Sequence, residues 1–392
     1  MTENCAIDCV LPSAVAPPAL NSPKPKVIDL FAGVGGLSLG AARAGFHLAL
    51  AVEIDKHAMS AHQQNFPGFN HLATDISLLD GEKIMHHAGL AKGGLDGLFG
   101  GPPCQGFSVI GKRSAIDPRN NLFVKFFDLV AQCQPKFFVA ENVLGILEDK
   151  YSGVREAAFE RVGDGYVILP PMRMKASDYG APTSRERVFF IGYRSDAIKV
   201  LSTGEWQDTK VTTPTTVAEA LCGLPPVIDR NWLTEEQSWQ VVESGPASVF
   251  WSKVVGAIPD EVGDAQALRR YREDKLVSGC FGTRHSPEVE ARYEKLKHGE
   301  KDKTSKAVRL KPDGFCPTLR AGTDAARGSY QAVRPIHPAF PRVITPREAA
   351  RLQGFPDWFQ FAPSKWHSFR QIGNSVSPIV AEAVFSVIKA HL

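Results

Sequence analysis

No two of the seven cysteines, at positions 5, 9, 104, 133, 222, 280 and 316, form a Cys-x-x-Cys pair, and their odd number leaves no complete disulfide framework. Such spacing argues against a structural zinc module and against a stapled secreted scaffold, and it reads as the reduced thiols of an intracellular protein with no metal site. Also missing is any uncharged apolar run near the roughly 20 residues of a membrane span. The N-terminus lacks the basic flank and apolar core of a signal peptide, so the expected location is the cytoplasm. There are no internal repeats. Neither sign of charge dominates: the formal net charge is +3 over 392 residues. Its distribution is less even. Between Ala265 and Lys311 there are 13 Lys or Arg against 7 Asp or Glu, so the rest of the chain sums to −3. A basic segment in a mildly acidic body is either the footprint of a polyanion site or a solvated helix and loop.

What is present is a hydrophobic content of 43%, enough to bury a sizeable core in one large domain or two ordinary ones. Residues 1–25 are rich in Pro, Ala and Ser without a sustained period, the composition of a disordered arm. From Val27 the pattern changes. "KVIDLFAG" reads as strand and tight turn, "GGLSLGAARAGF" as a helix, "HLALAVEID" as a strand and "DKHAMSAHQQNF" as its helix. The pattern continues with "GLDGLFGG" as strand, "NNLFVKFFDLVAQCQ" as helix, "PKFFVAENV" as strand, "REAAFERVGD" as helix, and "YVILPPMRMKA" and "RERVFFIGYR" as one strand each. It implies an α/β fold with a mostly parallel, doubly wound sheet whose ligands lie at the carboxyl ends of the strands. Beyond about Ser195 the alternation gives way to an irregular, turn-rich region, the signature of a smaller second domain. Regularity returns at "TPREAARLQGF", with a Thr cap, Pro at the first helical position and Glu in the first turn, and at the final amphipathic helix "SPIVAEAVFSVIKAHL".

Several residues stand at chemically suggestive places, each with a plain structural alternative. Gly33, Gly35 and Gly36 sit where the first strand turns into its helix, suited either to close helix–sheet packing or to a ligand at the helix N-terminus. Glu53 ends the second strand, where an acid accepts hydrogen bonds from ribose hydroxyls or simply faces water, and Asp75 repeats that placement. Cys104 follows "GGPP" at a strand end. A lone cysteine is usually a small buried hydrophobe, but Pro102 and Pro103 would aim this one towards the ligand edge, where a cationic or dipolar neighbour could activate it. Glu141 closes another apolar strand, as a desolvated proton donor or as a structural partner for "RER". Arg185 and Arg187 alternate on one face, and their forks suit a carbonyl, a phosphate or a carboxylate.

Together these stretches resemble the DNA cytosine-5 methyltransferase family. "DLFAGVGGLSLG" is similar to its cofactor turn, "GGPPCQGFS" to its Pro-Cys loop, "ENV" to its acid motif, "RERVFFIG" to its arginine motif, and "TPREAARLQGFP" and "QIGNSVSP" to its two C-terminal motifs. The resemblance covers Ile28 to about Gly192 and Arg342 to Leu392, in family order. It implies a Rossmann-like S-adenosylmethionine-dependent methyltransferase fold, with a catalytic and cofactor-binding domain over 26–194 completed by 372–392. A target-recognition domain over 195–343 and a hinge with a motif helix over 344–371 make up the rest. Phe31, Gly33 and Gly36 would border the methionine end of S-adenosylmethionine, Glu53 its ribose, and Asp75 and Ile76 its adenine. Ile54 and Pro103 join that set, and Asn374 and Ser375 close the pocket. By the same resemblance Cys104 is the nucleophile, Glu141 the acid at the base N3, and Arg185 and Arg187 the clamp on the cytosine O2. Gln105, Ser108, Lys112, Arg113 and Arg119 would meet DNA from a closing loop, and Thr318, Leu319, Arg320 and Arg327 from the recognition domain. The arginine motif of the family usually begins with Gln two residues before its first Arg; Thr183 stands there instead. The implied partner is double-stranded DNA, read by a monomer, with functional pairing to a restriction endonuclease left open. A tRNA methyltransferase of the same family, an inactive DNA-binding relative and an oxidoreductase on the same glycine turn are the rival readings. The long variable region disfavours the first, intact Cys104, Glu141 and Arg187 the second, and the Pro-Pro-Cys run the third.

Overall fold

The computed structural model describes residues 23–103, 120–231, 234–256, 258–322 and 333–392. The arm expected over 1–25 lies, up to residue 22, outside the described residues.

Among the described residues eight strands make the main sheet: β1 (Lys26–Leu30), β2 (His47–Glu53), β3 (Asn70–Ala73), β4 (Gly97–Gly100), β5 (Phe137–Asn142), β6 (Val167–Ile168), β7 (Met172–Lys175) and β8 (Glu186–Tyr193). Their order is β3-β2-β1-β4-β5-β8-β6, with β7 also paired to β8. The first five run parallel, and β8 is antiparallel to β5, β6 and β7. The stretch "YVILPPMRMKA", read above as one strand, is two. Pro170 and Pro171 supply no N–H to a ladder, so pairing stops at Ile168 and resumes at Met172.

The parallel strands read as unbroken apolar runs because both faces are covered. Successive side chains of β5 point to opposite faces: Phe137 and Val139 enter one buried cluster, Phe138 and Ala140 the other. Helices α1 (Gly36–Arg43), α2 (Lys56–Asn65), α3 (Gly81–His87), α4 (Asn120–Cys133) and α5 (Ser152–Glu160) follow the strands in turn. Phe123, Phe126 and Phe127 of α4 carry the second cluster, each fully buried and each contributing about 1.5–3 kcal/mol.

The variable region carries α6 (Thr203–Asp208), α7 (Val217–Leu221), α8 (Val249–Val255), α9 (Ala265–Asp274) and α10 (Pro287–Glu294), plus a two-residue antiparallel pair, β9 (Gln240–Val241) with β10 (Leu276–Val277). Helices α11 (Pro346–Gln353), α12 (Lys365–Asn374) and α13 (Pro378–Ala390) then return to the sheet. Thr345 and Glu348 form the capping box that the sequence implied for α11. Every residue of α11 is buried, including three charged ones. Arg351 forms a two-pronged pair with Asp357, both contacts 2.7 Å, and also donates to the carbonyls of Ala220 and Cys222. Arg347 donates to the carbonyls of Ser278, Pro356 and Phe359. The span Lys365–Ala390 is apolar enough to cross a membrane by length and composition, but most of it is buried within the fold.

Helix α13 lies directly on α1. A Cβ on Gly40 would fall 2.3 Å from Ala381 Cβ and 2.5 Å from Glu382 N, so glycine is required for the helices to approach this closely. Gly40→Ala is therefore expected to lower the urea midpoint by an amount equivalent to about 1–3 kcal/mol without changing the slope of the transition. An unchanged midpoint would show that the two helices move apart at no cost.

Candidate functional site

Chemistry-bearing residues gather at the carboxyl edge of the parallel strands. The turn after β1 holds Phe31 at φ 63°, Gly33 at φ 56° and Gly35 at φ 99°. A left-handed phenylalanine is uncommon and marks a turn held by its surroundings. Gly33 faces open space, whereas a Cβ on Gly36 would fall 2.2 Å from Ser375 Oγ and 2.3 Å from the Val376 carbonyl. The C-terminal pair expected near the turn is thus beside it: Ser375 is buried against Gly36, and Asn374 is exposed next to it.

Glu53 ends β2 and ties the turn together. Its carboxylate accepts from Gly33 N–H at 2.9 Å and Asp55 N–H at 2.7 Å. Burial raises its pKa against the pull of those amides. Ile54 beside it is 62% exposed, an apolar side chain with no packing reason to face out. Asp75 caps the next short helix by accepting from Ser77 N–H at 2.9 Å. The Ile76 side chain belongs to the core, which leaves only its backbone at the edge.

Beneath the turn runs a buried polar chain. Ser38 Oγ donates to Asp29 Oδ2 at 2.5 Å and lies 3.0 Å from His62 Nε2, and His62 Nδ1 lies 2.9 Å from His71 Nε2. With Asp29 as the carboxylate, one set of tautomers satisfies all three contacts, with every donor pointing from His71 towards Asp29. Burial raises the Asp29 pKa and lowers those of both histidines. Sequence reasoning missed these residues. Their signal was an acid in the middle of the apolar run "KVIDLF".

The second half of the edge exists because β8 runs antiparallel. Its amino end lies beside the carboxyl end of β5, with Asn142 opposite Val188. Arg187 Nε therefore meets Glu141 Oε1 at 2.7 Å, and both side chains are largely buried. Burial pushes the Glu141 carboxyl above its ordinary value, while Arg187 and then Arg185 pull it down. A Cβ on Gly101 would fall 2.8 Å from Glu141 Oε2. The Pro102 carbonyl lies 3.4 Å from Asn142 Nδ2, and Pro103 follows at the same edge. Cys104 comes next in the chain but, with Gln105, Ser108, Lys112, Arg113 and Arg119, it lies outside the described residues, as does Arg327. Arg185 is directed differently from Arg187: its guanidinium donates to the Leu319 carbonyl at 3.1 Å and the Asn374 carbonyl at 3.4 Å. Thr318 and Arg320 are exposed, and the Leu319 side chain is buried between them.

A model of the C-5 cytosine-specific DNA methylase family matches residues 25–390. The chain belongs to that family. It is a DNA cytosine-5 methyltransferase. It is 39% identical to the Type II methyltransferase M.XorII of Xanthomonas oryzae pv. oryzae, a match covering 92% of this chain and 84% of the relative. It is 34% identical to the Type II methyltransferase M.DdeI of Desulfomicrobium norvegicum over 91% of this chain and 87% of that one. Among solved structures, a protein described as a prophage-encoded DNA modification methyltransferase (E. coli) superposes with a TM-score of 0.84 at 50% identity, covering 94% of this chain and 99% of that one. The S. pombe Dnmt2 methyltransferase, at 17% identity and a TM-score of 0.58 over 93% of this chain and 98% of that one, shares the fold.

In this methyltransferase the Glu141–Arg187 pair has a pH signature. Arg187→Met leaves Glu141 buried without its charge partner, so its folded-state pKa rises further while the unfolded value stays ordinary. Relative to wild type the ionisation penalty is absent at low pH, where Glu141 is protonated in both proteins. It grows as pH rises through the already raised wild-type value, reaching on the order of 3 kcal/mol near neutrality. Urea titrations from acid to neutral pH measure the gap; a gap that does not widen would mean the pair carries no pH-dependent stability.

Proposed function

We propose that this methyltransferase acts on a cytosine flipped out of a specific duplex site, through a covalent bond from Cys104 to C6, as the modification partner in a restriction-modification system. The observation that carries the mechanism is Glu141, desolvated yet charge-paired, packed against Gly101 three residues before Cys104. The Type II names of the relatives support the biological setting.

The edge fits S-adenosylmethionine. Open space at Gly33, a carboxylate at the strand end and exposed Ile54 offer backbone approach, a ribose acceptor and an apolar surface for a ring. Phe31, Gly33 and Gly36 would hold the amino-acid end, Glu53 the ribose, Ile54, Asp75 and Ile76 the adenine, and Pro103, Asn374 and Ser375 the mouth. When bound, the cofactor supplies an electrophilic methyl group on a sulfonium.

The protein's task is to make cytosine C5 nucleophilic. Cys104 Sγ, as thiolate, bonds to C6 while Glu141 gives a proton to N3, and the C5–C6 double-bond electrons become available at C5. Arg187 holds Glu141 and, with Arg185 behind it, sets the charge around the O2 side of the base. With that pair committed to the C5–methyl bond, C5 gives its proton to solvent, the C5–H bond pair restores the C5–C6 double bond, Sγ leaves as thiolate, and N3 returns its proton to Glu141. Flipping the base costs a few kcal/mol, repaid by pocket contacts. Gln105 meets DNA from the loop that follows Cys104, and Ser108, Lys112, Arg113 and Arg119 supply phosphate contacts there. Residues 195–343 form the target-recognition domain: exposed Thr318 and Arg320 face the DNA with Leu319 anchoring them, and Arg327 is a further DNA contact.

Sequencing methylated cytosines in DNA from cells expressing the protein identifies the site. On that duplex, Cys104→Ala is expected to lose methyl transfer, and wild type to form a denaturation-resistant adduct with 5-fluorocytosine at the target position. Equal labelling by both proteins sinks the nucleophile assignment. Glu53→Gln, whose amide offers one acceptor where the carboxylate offers two, is expected to weaken S-adenosylmethionine binding about tenfold by calorimetry; wild-type affinity would remove Glu53 from the pocket.

A further inference from the structure

Thr183 occupies the position where the family's arginine motif usually carries Gln, and the structure shows what its hydroxyl does. Thr183 is fully buried, and Oγ1 donates to the Cys316 carbonyl at 3.1 Å. Ser184 adds its N–H at 2.9 Å and its Oγ at 3.3 Å to the same carbonyl. In return Cys316 N–H donates to the Pro182 carbonyl at 2.9 Å. A short parallel bridge thus joins the lead-in of β8 to a segment 133 residues away.

That segment is gripped again further along. Arg185 reaches the Leu319 carbonyl, as above. On the opposite side a Cβ on Gly373 of α12 would fall 2.6 Å from both Arg320 C and Ala321 N, so the backbones lie in contact. Arg334, stacked 4.0 Å over the Phe369 ring of α12, donates to the Arg320 carbonyl at 3.2 Å. Residues 316–321 are therefore held by their backbone between the β8 lead-in and α12, with Thr318 and Arg320 outward and Leu319 inward.

We propose that Thr183 is a positioning residue. Its hydroxyl sets the register of residues 316–321 against Arg185 and Arg187, so that Thr318 and Arg320 meet DNA in a fixed relation to Glu141. The inference rests on the proposed DNA-facing role of that segment. Valine has nearly the outline of threonine but cannot donate, and the two Ser184 bonds and the Cys316 N–H bond keep the segment attached, so Thr183→Val tests its fine register more than folding.

With the duplex site found by sequencing, Thr183→Val is expected to raise KM for duplex DNA about tenfold, to leave S-adenosylmethionine affinity within twofold, and to narrow the preference for the site over single-base variants. Thr183→Ser, which keeps the donor, is expected to stay within about twofold of wild type on all three. Wild-type KM and discrimination in Thr183→Val would overturn the proposal. So would equal losses in the Val and Ser variants, or a parallel loss of cofactor affinity, since these mark a purely structural role. The underlying reading has its own control: Arg320→Ala with unchanged KM for DNA removes DNA from this segment, whatever Thr183→Val does.

Discussion

The constraint on which the structure depends is backbone contact between the first βα unit and the end of the chain. Gly36 and Gly40 lie on one side of α1, and residues 375, 376, 381 and 382 press against the space where their side chains would be. No other residue fits there without displacing main chain. The ligand turn is consequently formed by two ends of the sequence at once, and everything between β8 and α11 leaves and re-enters a frame whose first and last helices are already locked together. A turn closed in this way holds Phe31 and Gly33 in left-handed conformations that a free loop would relax.

Much of this was legible in the sequence because it is local. Strand-to-helix alternation, the glycines after β1, the acid at the end of β2 and the Thr-Pro-x-Glu start of α11 each express physics that acts within a few residues. What stayed hidden acts across long separations. Nothing near Arg185 says that its partners are carbonyls 134 and 189 residues further on. Nothing near Arg347 or Arg351 says that an apparently amphipathic helix is buried all round, its charges satisfied by Asp357 and by main-chain oxygens. The split of "YVILPPMRMKA" was visible in its two prolines, but the antiparallel turn of the sheet that follows is a tertiary choice.

That choice decides the electrostatics of the site. A sixth parallel strand would have sent its amino end, and its arginines, to the far edge of the sheet. Antiparallel β8 instead delivers Arg187 to the carboxylate that ends β5, in surroundings dry enough to push Glu141 towards its neutral form. The buried carboxyl and its counter-charge are thus brought together by one reversal of strand direction, while Asp29, Ser38, His62 and His71 stiffen the neighbouring turn from below.

Several of the polar ties to the variable region take hold of its main chain. Arg347 and Arg351 hold carbonyls of Ser278, Ala220 and Cys222, Thr183 and Ser184 hold that of Cys316, and Arg185 holds that of Leu319. A clasp that recognises peptide groups is indifferent to the side chains those peptides carry. Outward-facing positions in this part of the chain can therefore accept substitution after substitution without loosening the frame.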